Sequence, residues 1–120
     1  MRCASSLIAA RSAGPCARRI EISASAVIGL VIAEALYLNH PDWAEGRLTV
    51  ARSRLVSGET LTAVAQDIGL GAYLVMGKGE ESTGGRDRDS NLADAFEALL
   101  GAILLDRGFD IATEFILEIM

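Results

Sequence analysis

Apolar residues recur along most of this chain at helical spacing, and no run of any length shows the two-residue alternation of a half-buried strand. The clearest set is Leu92, Ala95, Phe96, Leu99 and Leu100, which predicts a helix with a broad apolar face, running to about Asp106 and ending at Gly108. Ser90 stands where its N-cap belongs. Residues 18–38 read as a helix that is nearly apolar all round after Ala24, and so as the central buried one. Asn39-His40-Pro41-Asp42 stops it, since proline disfavours helix at the residue before it, and His40 reads as a surface residue of that turn. Residues 45–56 predict a helix with Leu48, Ala51, Leu55 and Val56 inward. In 59–68, Leu61, Val64, Ala65 and Ile68 follow the same period, with Ser57 as the cap and Gly69-Leu70-Gly71 as the close. A short apolar piece, 72–76, leads into the glycine-rich, polar 77–89, which reads as a loop. A final helix over 109–120 carries Ile111, Phe115, Ile116 and Ile119.

Composition narrows this pattern to a fold class. At 120 residues, 51% of them hydrophobic and only 2 of them proline, the chain has the size and apolar content of one modest core, and an all-α domain is expected. The longest apolar run, 24–33, is about half of what a membrane-spanning helix needs and reads as a core segment. Cys3 and Cys16 fit no metal-site spacing and read as free thiols. With no convincing secretory segment, the expected compartment is the cytoplasm. Residues 1–19 contain Arg2, Arg11, Arg18 and Arg19 and no acid. They read as a divergent, poorly ordered arm resembling a transit peptide, ahead of a domain over 20–120. The chain's formal charge is −5, but residues 20–120 hold 7 basic and all 16 acidic side chains, a balance of −9, so the domain will not attract nucleic acid by charge alone.

Two acids interrupt the apolar pattern of the 90–106 helix. Asp94 and Glu97 are three apart, which sets their carboxylates about one turn from each other on one side. Such a pair is either a solvated acidic stripe or part of a site for a hard divalent cation such as Mg²⁺, which takes carboxylate oxygens, water and substrate phosphate. Glu21, near the start of the 18–38 helix, supplies a further acid, with Ser25 one turn on. The 77–89 stretch lacks the Gly-Lys-Ser/Thr ending and the preceding strand of a phosphate-cradling loop, so a nucleotide-binding loop is excluded.

The segments Glu45-Gly46-Arg47-Leu48-Thr49, Arg54-Leu55-Val56, Glu59-Thr60-Leu61, Gly69-Leu70-Gly71, Gly77-Lys78-Gly79-Glu80-Glu81, Gly84-Gly85 and 92–103 follow one another in the order and spacing of the bacterial ribonuclease III catalytic domain. The resemblance covers about 18–120. It implies a helical endonuclease domain that forms a homodimer and hydrolyses double-stranded RNA in RNA processing, with Mg²⁺ held by Glu21, Asp94 and Glu97 and with Glu97 also helping to activate the attacking water. The family's Glu-Phe-Leu-Gly-Asp signature aligns with Glu21-Ile22-Ser23-Ala24-Ser25, so its closing aspartate is Ser25 here and its phenylalanine, a knob for the partner's socket, is Ile22. A serine hydroxyl can accept a hydrogen bond but brings no negative charge, so impaired activity is expected. Glu45 is either an outer acid of the site or a helix N-terminal charge favoured by the dipole.

The family's N-terminal helices and its double-stranded-RNA-binding domain have no counterpart in this sequence. A catalytically inactive dimerisation module or gene fragment is the alternative. A helical nucleotide pyrophosphatase ranks last, because its sites need paired acids on both helices. The abrupt onset of the match near residue 25 predicts a truncated or frame-shifted gene copy. The encoding DNA should then hold Leu-Gly-Asp codons in another frame, and their absence from every frame excludes the shift.

Overall fold

The computed structural model describes residues 15–120, with side chains from Ile22 onward. Cys3 and residues 1–14 of the expected arm lie outside the described residues, as do the side chains of Cys16 and Glu21, while residues 15–19, expected in the arm, belong to the first helix. Helix α1 spans Pro15–Asn39, α2 Glu45–Leu55 and α3 Gly58–Asp67. A 3-10 turn over Leu70–Tyr73, the short helix α4 (Lys78–Ser82) and a second 3-10 turn over Gly85–Asp87 lead to α5 (Asp89–Arg107) and α6 (Phe109–Ile119). Every regular element among the described residues is helical, as the apolar spacing predicts.

The centre of the fold is α5, not α1. It packs against α1, α3 and α6, and Leu92, Ala95, Phe96 and Leu100 are buried. Around them close Ala24, Ile28, Val31 and Ile32 of α1, Leu61, Val64 and Ala65 of α3, and Ala112 and Ile116 of α6. Phe96 is fully buried, with the Phe115 ring 6.3 Å away. Truncating such a side chain typically costs about 3–5 kcal/mol.

The expectation that the first helix is buried all round is overturned. Its neighbours α5, α2 and α6 cover one side, which leaves Ile22, Leu30, Tyr37 and Leu38 exposed. The helix is also longer than its uninterrupted apolar run. By length and composition the segment Ile22–Asn39 could cross a membrane, contrary to the estimate from 24–33 alone. Its buried face is nevertheless part of the domain core.

Two local expectations also change. The stretch 77–89 is not an open loop: it folds into α4 and the second 3-10 turn. Ser90 is not the cap of α5, because the helix begins at Asp89 and the N-cap residue is Arg88, which makes no side-chain capping bond. His40 is half-buried rather than simply exposed. Its ring stacks on Trp43 with centroids 3.8 Å apart, and the Arg47 guanidinium lies 3.9 Å from the centre of the same indole.

By contrast, Ser57 caps α3 as expected, its Oγ accepting a hydrogen bond from the Thr60 N–H at 3.3 Å. Gly69 follows that helix with φ 69°, a left-handed conformation that a side chain disfavours. Ser57→Ala should therefore lower stability by about 1 kcal/mol, whereas Ser90→Ala should stay within about 0.5 kcal/mol of the parent chain. Urea denaturation midpoints at equal slope measure both.

Candidate metal centre on the central helix

The apolar face of α5 fixes the helix in the core, and so sets which residues it turns outward. Asp94 is exposed, and its carboxylate makes no hydrogen bond or ion pair among the described residues. Glu97, one turn on, is half-buried. Two carboxylates at this spacing repel each other unless a cation lies between them, and no basic side chain is paired with Asp94.

The opposing helix is α1, packed along α5. Glu21 belongs to it, with its side chain outside the described residues. Ser25, one turn further, is exposed. Among the described residues no group of three or more His, Cys, Asp or Glu is placed to hold a metal. The side chain of Glu21, the third expected ligand, is not among them. The chemistry of the donor set still suits Mg²⁺. Asp94 and Glu97 offer hard carboxylate oxygens, and this ion usually takes one or two carboxylates, with water and phosphate completing its octahedron.

Both readings of Glu45 stay open. It is exposed in the first turn of α2 and accepts a hydrogen bond from Thr49 Oγ1 at 2.8 Å within the same helix.

Sequence reasoning missed the polar network directly ahead of Asp94. Asn91 is buried, and its Nδ2 donates to the Gly85 carbonyl at 2.8 Å and to Glu80 Oε1 at 3.1 Å. The same Glu80 oxygen accepts from Arg88 Nη1 at 2.6 Å. Arg86 Nη1 donates to the carbonyls of Gly71 at 2.8 Å and Leu74 at 2.7 Å, and its Nη2 to Glu81 Oε1 at 3.0 Å. The one local signal for this network is Gly84-Gly85. A Cβ on Gly85 would lie 2.5 Å from Glu80 Cγ and 2.6 Å from the Glu80 carbonyl oxygen.

With this arrangement in view, comparison with known proteins is decisive. The model of the ribonuclease-III-like family matches residues 5–120. The chain belongs to the ribonuclease-III-like family. The match begins ahead of residue 18, where the segment resemblance starts. Among curated relatives, ribonuclease 3 of Thermobifida fusca is 47% identical over 102 residues, covering 85% of this chain and 42% of the relative. Ribonuclease 3 of Desulforamulus reducens is 50% identical over 101 residues, covering 84% and 41%. The chain thus spans less than half the length of these relatives. Among solved structures, the nuclease domain of ribonuclease III from Campylobacter jejuni superposes with a TM-score of 0.82 at 36% identity, over 86% of this chain and 72% of that one. The fold is the all-α ribonuclease III-type nuclease domain.

The close approach at Gly85 can be tested by itself. Gly85→Ala should destabilise the domain by about 1–3 kcal/mol, because the new methyl group meets backbone as well as a side chain. Gly79→Ala, in α4 with nothing within 4 Å, should be neutral or slightly stabilising. Thermal midpoints of the two variants compare them directly.

Proposed function

We propose that this chain is the nuclease domain of a ribonuclease III-type endonuclease that hydrolyses phosphodiester bonds in double-stranded RNA during RNA processing, ribosomal RNA included. Membership of the family supports this reading. The observation that carries it is the exposed Asp94 carboxylate, without a partner among the described residues, on a helix whose opposite face is the domain core. Glu21, Asp94 and Glu97 would hold Mg²⁺. When bound, that ion supplies positive charge beside the scissile phosphate and lowers the cost of making water nucleophilic. Glu97 would accept a proton from the attacking water, and Asp94 would hold the ion on its exposed side.

The proposed assembly is a homodimer acting in the cytoplasm. The Campylobacter jejuni nuclease domain is itself described as having a region involved in dimer formation. Here Ile22, at the position of the family's knob, is 76% exposed and available for a second copy. Its side chain is smaller than phenylalanine, which weakens pairing.

Ser25 favours a second reading, a domain that keeps the fold and the pairing surface but cuts poorly or not at all. The two readings separate in one assay on a long RNA duplex. Restoring the anion with Ser25→Asp should raise Mg²⁺-dependent cleavage by about 10–100-fold, the usual range for a group supporting a metal site. Glu97→Gln and removal of metal with a chelator should both abolish it. No gain from Ser25→Asp, with a dimer still seen by sedimentation, selects the non-cutting module. A monomer without cleavage excludes both readings.

A further inference from the structure

We infer that Glu80, Arg88 and Asn91 form a latch whose role is to position the Asp94 and Glu97 carboxylates for the cation. The inference rests on the metal reading proposed above and adds positioning residues to it.

The start of α5 has no side-chain N-cap. What fixes it instead is reached from outside the helix. Arg88, at the N-cap position, and Asn91, in the first turn, both bond to one oxygen of Glu80. The carboxylate thereby joins the two ends of that turn. Asn91 is 2% exposed and also holds the Gly85 carbonyl, so its amide is anchored on two sides. Thr62 of α3 donates from Oγ1 to the Asp89 carbonyl at 3.0 Å, a further tie on the same turn. The segment bearing Glu80 is in turn held by Arg86, which reaches the carbonyls of Gly71 and Leu74. Gly85 is required because the backbone carrying its carbonyl passes too close to Glu80 for any Cβ.

Asn91 lies one turn before Asp94, and Asp94 one turn before Glu97. A helical carboxylate sits about 5–6 Å from the helix axis, so a rotation of about 10° moves it by about 1 Å. Mg²⁺ demands near-ideal octahedral geometry with oxygens at about 2.0–2.1 Å, and a displacement of that size loses a ligand. The apolar face of α5 resists large rotations, but apolar packing is not directional. The hydrogen bonds of the latch are directional, and they act at the end of the helix nearest the acids.

The test is the affinity of the full chain for Mn²⁺, a paramagnetic stand-in for Mg²⁺, followed by electron paramagnetic resonance without RNA. Temperatures are chosen at which each variant keeps the circular dichroism of the parent. Asn91→Ala and Glu80→Ala should each raise the dissociation constant by about 10-fold, the low end of the range for outer-shell groups. Glu80→Gln, which still offers an acceptor oxygen, should stay within about 3-fold of the parent. Ile116→Val, a change of one methyl group in the core, should lower the thermal midpoint and leave the affinity unchanged. The inference is overturned if Asn91→Ala and Glu80→Ala bind as the parent does, if Glu80→Gln is as weak as Glu80→Ala, or if Ile116→Val weakens binding equally. If one alanine variant does not fold, the other decides. Asp94→Asn distinguishes the layers: loss of binding there with parental affinity in the latch variants retains the metal centre and rejects the latch. A parent chain that binds no Mn²⁺ rejects both.

Discussion

The contact between α1 and α5 is the constraint on which both the core and the candidate centre depend. Ala24, fully buried, is small enough to let the helices close, and Ile28, Val31 and Ile32 continue the seam along Leu92, Ala95, Phe96 and Leu100. Apolar burial of this kind is the main term that holds a domain together. The same two helices carry Glu21, Asp94 and Glu97. Packing that brings acid-bearing helices together works against charge repulsion, and the gain from the core sustains it. On the metal reading proposed above, a divalent cation between the helices would offset that repulsion.

Much of this was legible because helical periodicity reports burial on a single amphipathic element. Leu61, Val64 and Ala65 of α3 and Leu92, Ala95, Phe96 and Leu100 of α5 lie inside as their spacing predicts, whereas Ile68, just past the end of α3, is exposed. The pattern failed where it carried no direction. The first helix is apolar on nearly every side, so the sequence does not say which face is covered; that depends on how many neighbours it has. The outcome is a helix with Ala24 inside and Ile22 and Leu30 outside.

The stretch 77–89 failed for a different reason. Its glycines and charges are those of a loop, and what orders it is long-range: Arg86 to the carbonyls of Gly71 and Leu74, and Asn91 to Gly85 and Glu80. No local period encodes such bonds. Ser90 illustrates the same point on a smaller scale. A serine is a good cap only if the chain turns into the helix at that residue, and the network starts α5 one residue earlier, at Asp89. The acids were legible as a pair at helical spacing, but that spacing alone does not separate a solvated stripe from a metal centre. The order of segments along the chain, and then the family match over 5–120, identify the domain, and the metal reading of the pair rests on that membership as a proposal.

Ser25 marks a position where the demands of fold and of chemistry part. It is exposed on α1, while the seam with α5 is built from Ala24 and the apolar positions that follow. Exchanging an acid for serine at such a surface position changes stability by no more than about 0.5 kcal/mol. It also removes one negative charge from a region that already holds several, which eases repulsion in the absence of a cation. The chain can therefore carry Ser25 with the nuclease-domain fold fully formed. The cation feels the opposite effect, because each carboxylate taken from its surroundings lowers the potential that draws it in. Retention of the fold is thus no guide to retention of cleavage in this chain. On the proposed function, the charge at this one position on α1 would bear on the second without disturbing the first.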